Sequence, residues 1–241
     1  NNVAPPTVFR VVRSRASESE VLERLSAAGA VLESSRIADG AWRVSGATSL
    51  LRELFAAGQV YLQDEASQLV AQVLDVRKGE RALDLCAGPG GKTTLIADQA
   101  RDSAMIVAAD RYVARLETVL GTSMVHKLEG IRPILLDAAE SLPFASGAFD
   151  KVLVDAPCSG TGTLRRNPEI RWRLSEDDIR GFAERQKQFL RRAADVVRPG
   201  GRLVYSTCSV EREENEEVMQ DFLAREDGFR PATVKDGLYT L

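Results

Sequence analysis

The sequence predicts an α/β protein, a doubly wound and mostly parallel sheet preceded by a small α+β unit. Three observations carry this expectation. From about residue 63 onward, short apolar runs alternate with stretches of helical periodicity. The first of those runs, Ala82-Leu83-Asp84-Leu85, feeds a glycine turn that opens a helix. Three later runs each end in an aspartate: Asp110 after IVAA, Asp137 after PILL and Asp155 after VLV. Parallel strands carry such residues to one edge of the sheet, where open α/β sheets bind ligands.

The elements follow in order. Residues 8–13 (VFRVVR) read as a strand. Residues 17–28 read as a helix, with Val21, Leu22 and Leu25 at helical spacing. Short strands are expected over 30–35 and 41–46 and a short helix over 49–57, so that residues 1–60 form one small domain and 61–241 a second. In the second, the pattern predicts helix 67–74, strand 82–85, helix 92–100, strand 104–109, helix 112–120, and strands 133–136 and 151–154. Ser175, with Asp178 three residues on, caps a long helix whose Ile179, Phe182, Phe189, Ala193 and Val196 share one face. Pro199-Gly200-Gly201 is expected to end it, before a strand over 202–206. The acidic segment 211–217 opens a last helix at the end of the dipole that suits it.

Bulk properties narrow the function. A chain of 241 residues, 44% hydrophobic, has room for one ordinary core and a small appended domain. Nothing in it resembles an 18-residue apolar span or a secretory leader, so neither a membrane helix nor export is expected. Because the sequence begins at Asn1 rather than Met, it reads as a piece of a longer chain. Three scattered cysteines make no disulfide framework, and with the single histidine, His126, they have no metal-site spacing. A reducing cytoplasm and no metal are the expectation. His126 reads as a surface or helix-end residue.

The net charge of −3 argues mildly against a nucleic-acid partner, but binding depends on local patches. In LRRNPEIRWR, Arg165, Arg166, Arg171 and Arg173 surround Trp172 and face one acid, Glu169. Guanidinium groups for phosphates and an indole for stacking suit single-stranded RNA; the bland alternative is a solvated charged loop.

Three ligands compete for the turn Cys86-Ala87-Gly88-Pro89-Gly90-Gly91-Lys92. A phosphate-binding P-loop needs glycine at position 86, which is cysteine. A dinucleotide fingerprint counted from Gly88 needs glycine at 93, which is threonine. S-adenosylmethionine carries no phosphate. It needs a close backbone turn and carboxylates at successive strand ends, and this pattern supplies both.

Two of the cysteines stand at strand ends beside that loop, in DAPCSGTG and YSTCS. Buried structural cysteines are common, yet small, polar, turn-forming neighbours are not core surroundings. Thiol chemistry is the better reading. Cys86 takes the bland one, a small residue lining the turn.

LDLCAGPGGKTT, VLVDAPCSGTGTLRRNPEIRW and VYSTCSVEREENEEV resemble the signature segments of the Sun/Fmu-type RNA (cytosine-5)-methyltransferases, whose bacterial members act on 16S ribosomal RNA. YLQDEASQLVAQVLD resembles the lead into their catalytic domain, and PPTVFRVVRS the start of their small RNA-contacting domain, although Val12 stands where the family often has asparagine. The resemblance covers most of the chain. It implies a Rossmann-like class I S-adenosylmethionine methyltransferase fold, a monomer, and methylation of carbon 5 of cytosine in RNA, with ribosomal RNA the expected substrate. By motif position, Cys86, Ala87, Gly88, Pro89, Gly90, Gly91 and Lys92 line the cofactor, Asp110 takes the ribose, Asp137 lies near the adenine, and Asp155 sits between cofactor and base. Cys208 is the nucleophile by the same resemblance, and Cys158 is linked to product release. DNA cytosine methylases use the Pro-Cys cysteine instead. A methyltransferase acting on DNA or transfer RNA, and a catalytically silent RNA-binding assembly factor, are the rival readings.

Overall fold

The computed structural model describes residues 5–232. Residues from 7 to 62 build a four-stranded antiparallel sheet. Its elements are β1 (Thr7–Val11), α1 (Glu18–Ala27), β2 (Val31–Ser34), β3 (Ala41–Ser45), α2 (Thr48–Ala56) and β4 (Val60–Leu62), in the strand order β2-β3-β1-β4. Phe9 lies opposite Trp42 on one side and Leu62 on the other. With Val21, Leu25, Leu54 and Val60 it fills the small core of this unit. Strand β4 has only three residues, too few for an alternation to be read, and the sequence pattern does not predict it.

The second sheet has five parallel strands: β5 (Arg81–Asp84), β6 (Met105–Asp110), β7 (Ile131–Leu135), β8 (Phe149–Asp155) and β9 (Val197–Ser206), in the order β7-β6-β5-β8-β9. Helices α3 (Glu65–Leu74), α4 (Gly91–Gln99), α5 (Val113–His126), the short α6 (Ile170–Arg173), α7 (Glu176–Val196) and α8 (Glu216–Arg225) precede, connect or follow them. Both faces are covered, and successive residues point to opposite sides. Leu83, Val107 and Val152 pack beneath Phe189, Leu190 and Phe222. Their chain neighbours Ala82, Ile106 and Leu153 pack with Leu74, Leu95 and Ile96 on the other face. The chain winds outward from β5 through β6 and β7, then returns to place β8 and β9 on the far side. The winding therefore reverses between β5 and β8, the position at which such sheets open a ligand crevice.

Two expectations need correction. Pro199-Gly200-Gly201 does not end the long helix; α7 stops at Val196, and the tripeptide lies within β9. The register against β8 slips between Phe149 and Lys151, so the proline, which has no N–H to give, falls in an irregularity of the ladder. Helix α5 runs on to His126, six residues past the expected end, because Gly121 is tolerated in its exposed interior. The cap of α7 is as expected. Ser175 Oγ accepts from the Asp178 N–H, and the Asp178 carboxylate accepts from the Ser175 N–H.

The two sheets meet through a buried polar joint. The Arg10 guanidinium on β1, 2% exposed, donates to Thr94 Oγ1 of α4 at 3.0 Å and to Gln63 Oε1 at 3.1 Å. Asp98 of α4 lies 4.0 Å from it and accepts the Arg13 and Ser14 backbone N–H groups at 3.0 Å each. The Tyr61 ring covers Arg10, and His126 meets Tyr61 edge-on. His126 is thus a helix-end residue but not a surface one; burial, then Arg10 and Arg15, push its pKa down to about 4.

Candidate active site

A cavity of about 480 Å³ opens at the carboxyl ends of β5 and β8. That is within the range of roughly 300–1,000 Å³ usual for small-molecule sites. Its inner wall is the turn after β5, with Cys86, Ala87, Gly88, Pro89, Gly91 and Lys92, together with the strand-end carboxylates Asp84 and Asp155. Its outer wall comes from the N-terminal unit, by Pro5 to Val8 and Tyr61 to Asp64. Burial pushes the Asp84 carboxyl up to about 7, against a 2.7 Å hydrogen bond donated by Thr93 Oγ1. Asp84 is the residue the sequence reading passed over. The sequence run ends at Leu85, one residue past the strand's end at Asp84, which hides this acid from the set of strand-end acids.

Asp110, at the end of β6, sits behind the turn, not among the residues lining the cavity. Its Oδ2 accepts the Gly88 N–H at 3.0 Å and its Oδ1 that of Tyr112 at 3.0 Å. A Cβ on Gly88 would stand 2.7 Å from that Oδ2 and 2.4 Å from the Arg115 Cβ, so only glycine lets turn and carboxylate meet. Asp137 lies two residues beyond the end of β7, 3.7 Å from Arg111, and also outside the lining. Gly90, at the start of α4, faces Val119 of α5 instead of the cavity.

Asp155 is held from both sides. Its Oδ2 accepts from the Lys92 ammonium at 2.5 Å, and its Oδ1 from Ser206 Oγ at 2.7 Å. Ser206 ends β9, next to β8 in register with Asp155, and Cys208 follows two residues later. The turn after β8 brings Cys158 to the same place. The two sulfurs are 3.1 Å apart, and the Cys208 N–H donates to Cys158 Sγ at 3.2 Å. Either sulfur can donate in the first contact; with the S–H on Cys158, Cys208 is the acceptor. The hydrogen bond pulls the Cys208 thiol down to about 7, helped by Lys92 and opposed by burial and Asp155, while Cys158 is held well above the usual thiol range. Cys208 is exposed. Cys86 is the opposite case: burial, and then the surrounding carboxylates, raise its thiol well above normal, which suits a lining residue.

The residues of the arginine segment are placed differently. Arg166 borders the cavity and forms an ion pair with Asp64, the N-cap residue of α3. Arg171, Trp172 and Arg173 form the short helix α6, with the indole 83% exposed. Arg165 is exposed on the loop before it. Among the described residues no group of acids, histidines and cysteines is placed to hold a metal, and no helix is long and apolar enough to cross a membrane.

A five-stranded parallel sheet with a glycine turn after its first strand and acids at the strand ends is the Rossmann-like fold of class I S-adenosylmethionine-dependent methyltransferases. Residues 71–236 match the family model of the 16S rRNA methyltransferases RsmB/F, and the chain belongs to that family. Two similar relatives are the ribosomal RNA small subunit methyltransferase B of Pseudomonas syringae pv. tomato, 38% identical over 95% of this chain, and the probable one of Bacillus subtilis, 35% identical over 95%. The chain spans 52% of the length of each. A crystal structure of a methyltransferase homologue from Pyrococcus horikoshii, 32% identical, superposes with a TM-score of 0.79 over 91% of this chain and 70% of that one. S-adenosylmethionine is the cofactor of this family. The cavity suits it: carboxylates for a cationic ligand, and a turn open to close approach.

Proposed function

We propose that this chain methylates carbon 5 of cytosine in ribosomal RNA through a covalent bond to Cys208. The observation that carries the reading is the thiol pair, one sulfur exposed and poised near neutral pH, the other keeping its proton, with Cys208 two residues beyond the Ser206 that bonds the cavity-lining Asp155. Bound in that cavity, S-adenosylmethionine supplies the methyl group.

Carbon 5 of cytosine is a weak nucleophile. Addition of the Cys208 thiolate to carbon 6 makes the ring an enamine, which splits one hard step into easier ones. The Lys92 ammonium lies on the side of Asp155 away from Ser206, where positive charge favours both the thiolate and the electron-rich ring. With a donor already on each oxygen, Asp155 is placed to accept from the cytosine 4-amino group. After methyl transfer the carbon-5 proton passes to solvent water, its bonding pair forms the carbon 5–carbon 6 double bond, and the carbon–sulfur bond breaks with its electron pair returning to Cys208. The Cys158 S–H, 3.1 Å away, stabilises that thiolate as it departs. Carbon 6 is reached only in an unstacked base, so the target is a loop or a flipped nucleotide. Trp172 and the exposed arginines then serve as a stacking face and as phosphate contacts.

The test is methyl transfer from labelled S-adenosylmethionine to small-subunit RNA, with the product mapped by bisulfite sequencing. Cys208→Ala is expected to abolish it. Cys158→Ala is expected to leave a protein–RNA adduct that survives denaturing electrophoresis. An active Cys208→Ala would overturn the reading.

A further inference from the structure

Glu214 follows β9 in the loop before α8 and is fully buried, at 0% exposure. A buried carboxylate is costly unless it is satisfied, and this one collects donors from the Cys158 turn. Its Oε1 accepts the Ser159 N–H at 2.9 Å and Gln186 Nε2 at 2.9 Å, and its Oε2 accepts the Ser159 hydroxyl. Gln186 also holds the Pro157 carbonyl at 3.0 Å. The residues on both sides of Cys158 are therefore fixed by this one group and its partner. The same chain of bonds continues to the other cysteine. Ser159 Oγ is 3.1 Å from Ser209 Oγ, which is 3.2 Å from Thr161 Oγ1, which accepts the Val210 N–H at 3.1 Å. A carboxylate only accepts, so every hydroxyl in the row must point its proton the same way: Val210 N–H to Thr161, Thr161 to Ser209, Ser209 to Ser159, Ser159 to Glu214. On the far side, Asn215 takes the Thr207 hydroxyl at 2.7 Å and donates to the Ser209 carbonyl at 3.2 Å, fixing both neighbours of Cys208.

We propose that Glu214 is a positioning residue for the thiol pair: its buried carboxylate orients a row of hydroxyls that fastens the Cys158 turn to the Cys208 turn and so holds the two sulfurs in hydrogen-bond contact. Glu214 does not line the cavity and reaches substrate only through the cysteines it places. The inference rests on the reading of Cys208 as nucleophile only for its catalytic consequence. Its physical content concerns the two thiols alone.

The test is the pH dependence of Cys208 alkylation by iodoacetamide on the whole chain without RNA, read by mass spectrometry of the Cys208 peptide, with melting temperature measured alongside. Cys158→Ala gives the midpoint of an unassisted thiol. Glu214→Gln and Ser159→Ala are expected to move the Cys208 midpoint upward, toward that value, and to lower kcat for methyl transfer about tenfold or more while KM for S-adenosylmethionine stays unchanged. Midpoints equal to wild type in folded Glu214→Gln and Ser159→Ala, with only the melting temperature reduced, would overturn the proposal. Should Glu214→Gln not fold, Ser159→Ala and Thr161→Val decide by the same readout. An unmoved midpoint removes the positioning role and leaves the methylation reading standing, whereas an active Cys208→Ala does the reverse.

Discussion

Arg10 of β1 and Asp98 of α4 lie 4.0 Å apart, each 2% exposed. Burial lowers the Arg10 pKa to about 10, and Asp98 is the first charge acting against that. The helix that carries Asp98 also carries Lys92 at its first turn, so this joint ties β1 to the floor of the cofactor cavity.

Asp98→Ala strips Arg10 of its counter-charge and orphans two backbone N–H groups. Removing one partner of a buried pair costs about 3–5 kcal/mol. A fall of that size is expected in urea denaturation, and a change under about 1 kcal/mol would place the strength of the joint elsewhere.

The rate should follow the Cys208 thiolate. A thiol lowered to about 7 is nucleophilic above that pH and protonated below it, so kcat/KM is expected to rise through pH 7 and level off. In Cys158→Ala the main cause of the lowering is gone. The covalent-addition step should then titrate nearer the ordinary thiol value of about 8.5. Stopped-flow measurement of adduct formation between pH 6 and 9 checks both.

Glycine at 162 is dictated by the Cys208 carbonyl. Its N–H donates to the Cys208 carbonyl at 2.9 Å, and an added Cβ would lie 2.8 Å from that oxygen. Gly162→Ala is expected to lower kcat about tenfold or more by displacing Cys208. Gly181→Ala, at an exposed position of α7 with nothing within 4 Å, should raise stability by about 0.5–1 kcal/mol and leave kcat alone. Steady-state kinetics and thermal melts on the pair separate the two effects.

If the exposed arginines bind phosphate, each removal should weaken RNA binding and flatten its salt dependence. For single strands the slope falls by roughly 0.7 for each phosphate that is no longer neutralised. Arg171→Ala and Arg173→Ala are expected to do this independently of sequence, while Trp172→Ala should weaken binding with the slope unchanged. Fluorescence anisotropy over a salt titration distinguishes the outcomes.

Much of this was legible from residues alone. The alternation of strands and helices, the glycine turn and the paired cysteine segments depend on local pattern, and local pattern suffices for a sheet buried on both faces. What was missed depends on distant pairing. Strand β4 exists because β1 offers it an edge, and Pro199 sits in a strand because β8 forces an irregularity there. His126 is buried because Tyr61, from the other sheet, lies against it. Within the site, strand-end acids were readable as a set. That Asp84 and Asp155 face the cavity while Asp110 supports the turn from behind was not, since it depends on how the turn folds back. Glu214 gave no signal at all among the acids of its segment. Only packing distinguishes a buried carboxylate from its solvated neighbours.

The outer wall of the cavity, Pro5 to Val8 and Tyr61 to Asp64, is built from β1, β4 and the residues flanking them, and the inner wall from the turn and strand ends of the parallel sheet. A molecule lodged between them is gripped by both, and linkage makes the grip reciprocal. Saturating the cavity must raise the melting point of the antiparallel unit, and anything that loosens that unit must raise the dissociation constant of the ligand. The antiparallel unit is one wall of the pocket, not an appendage to it.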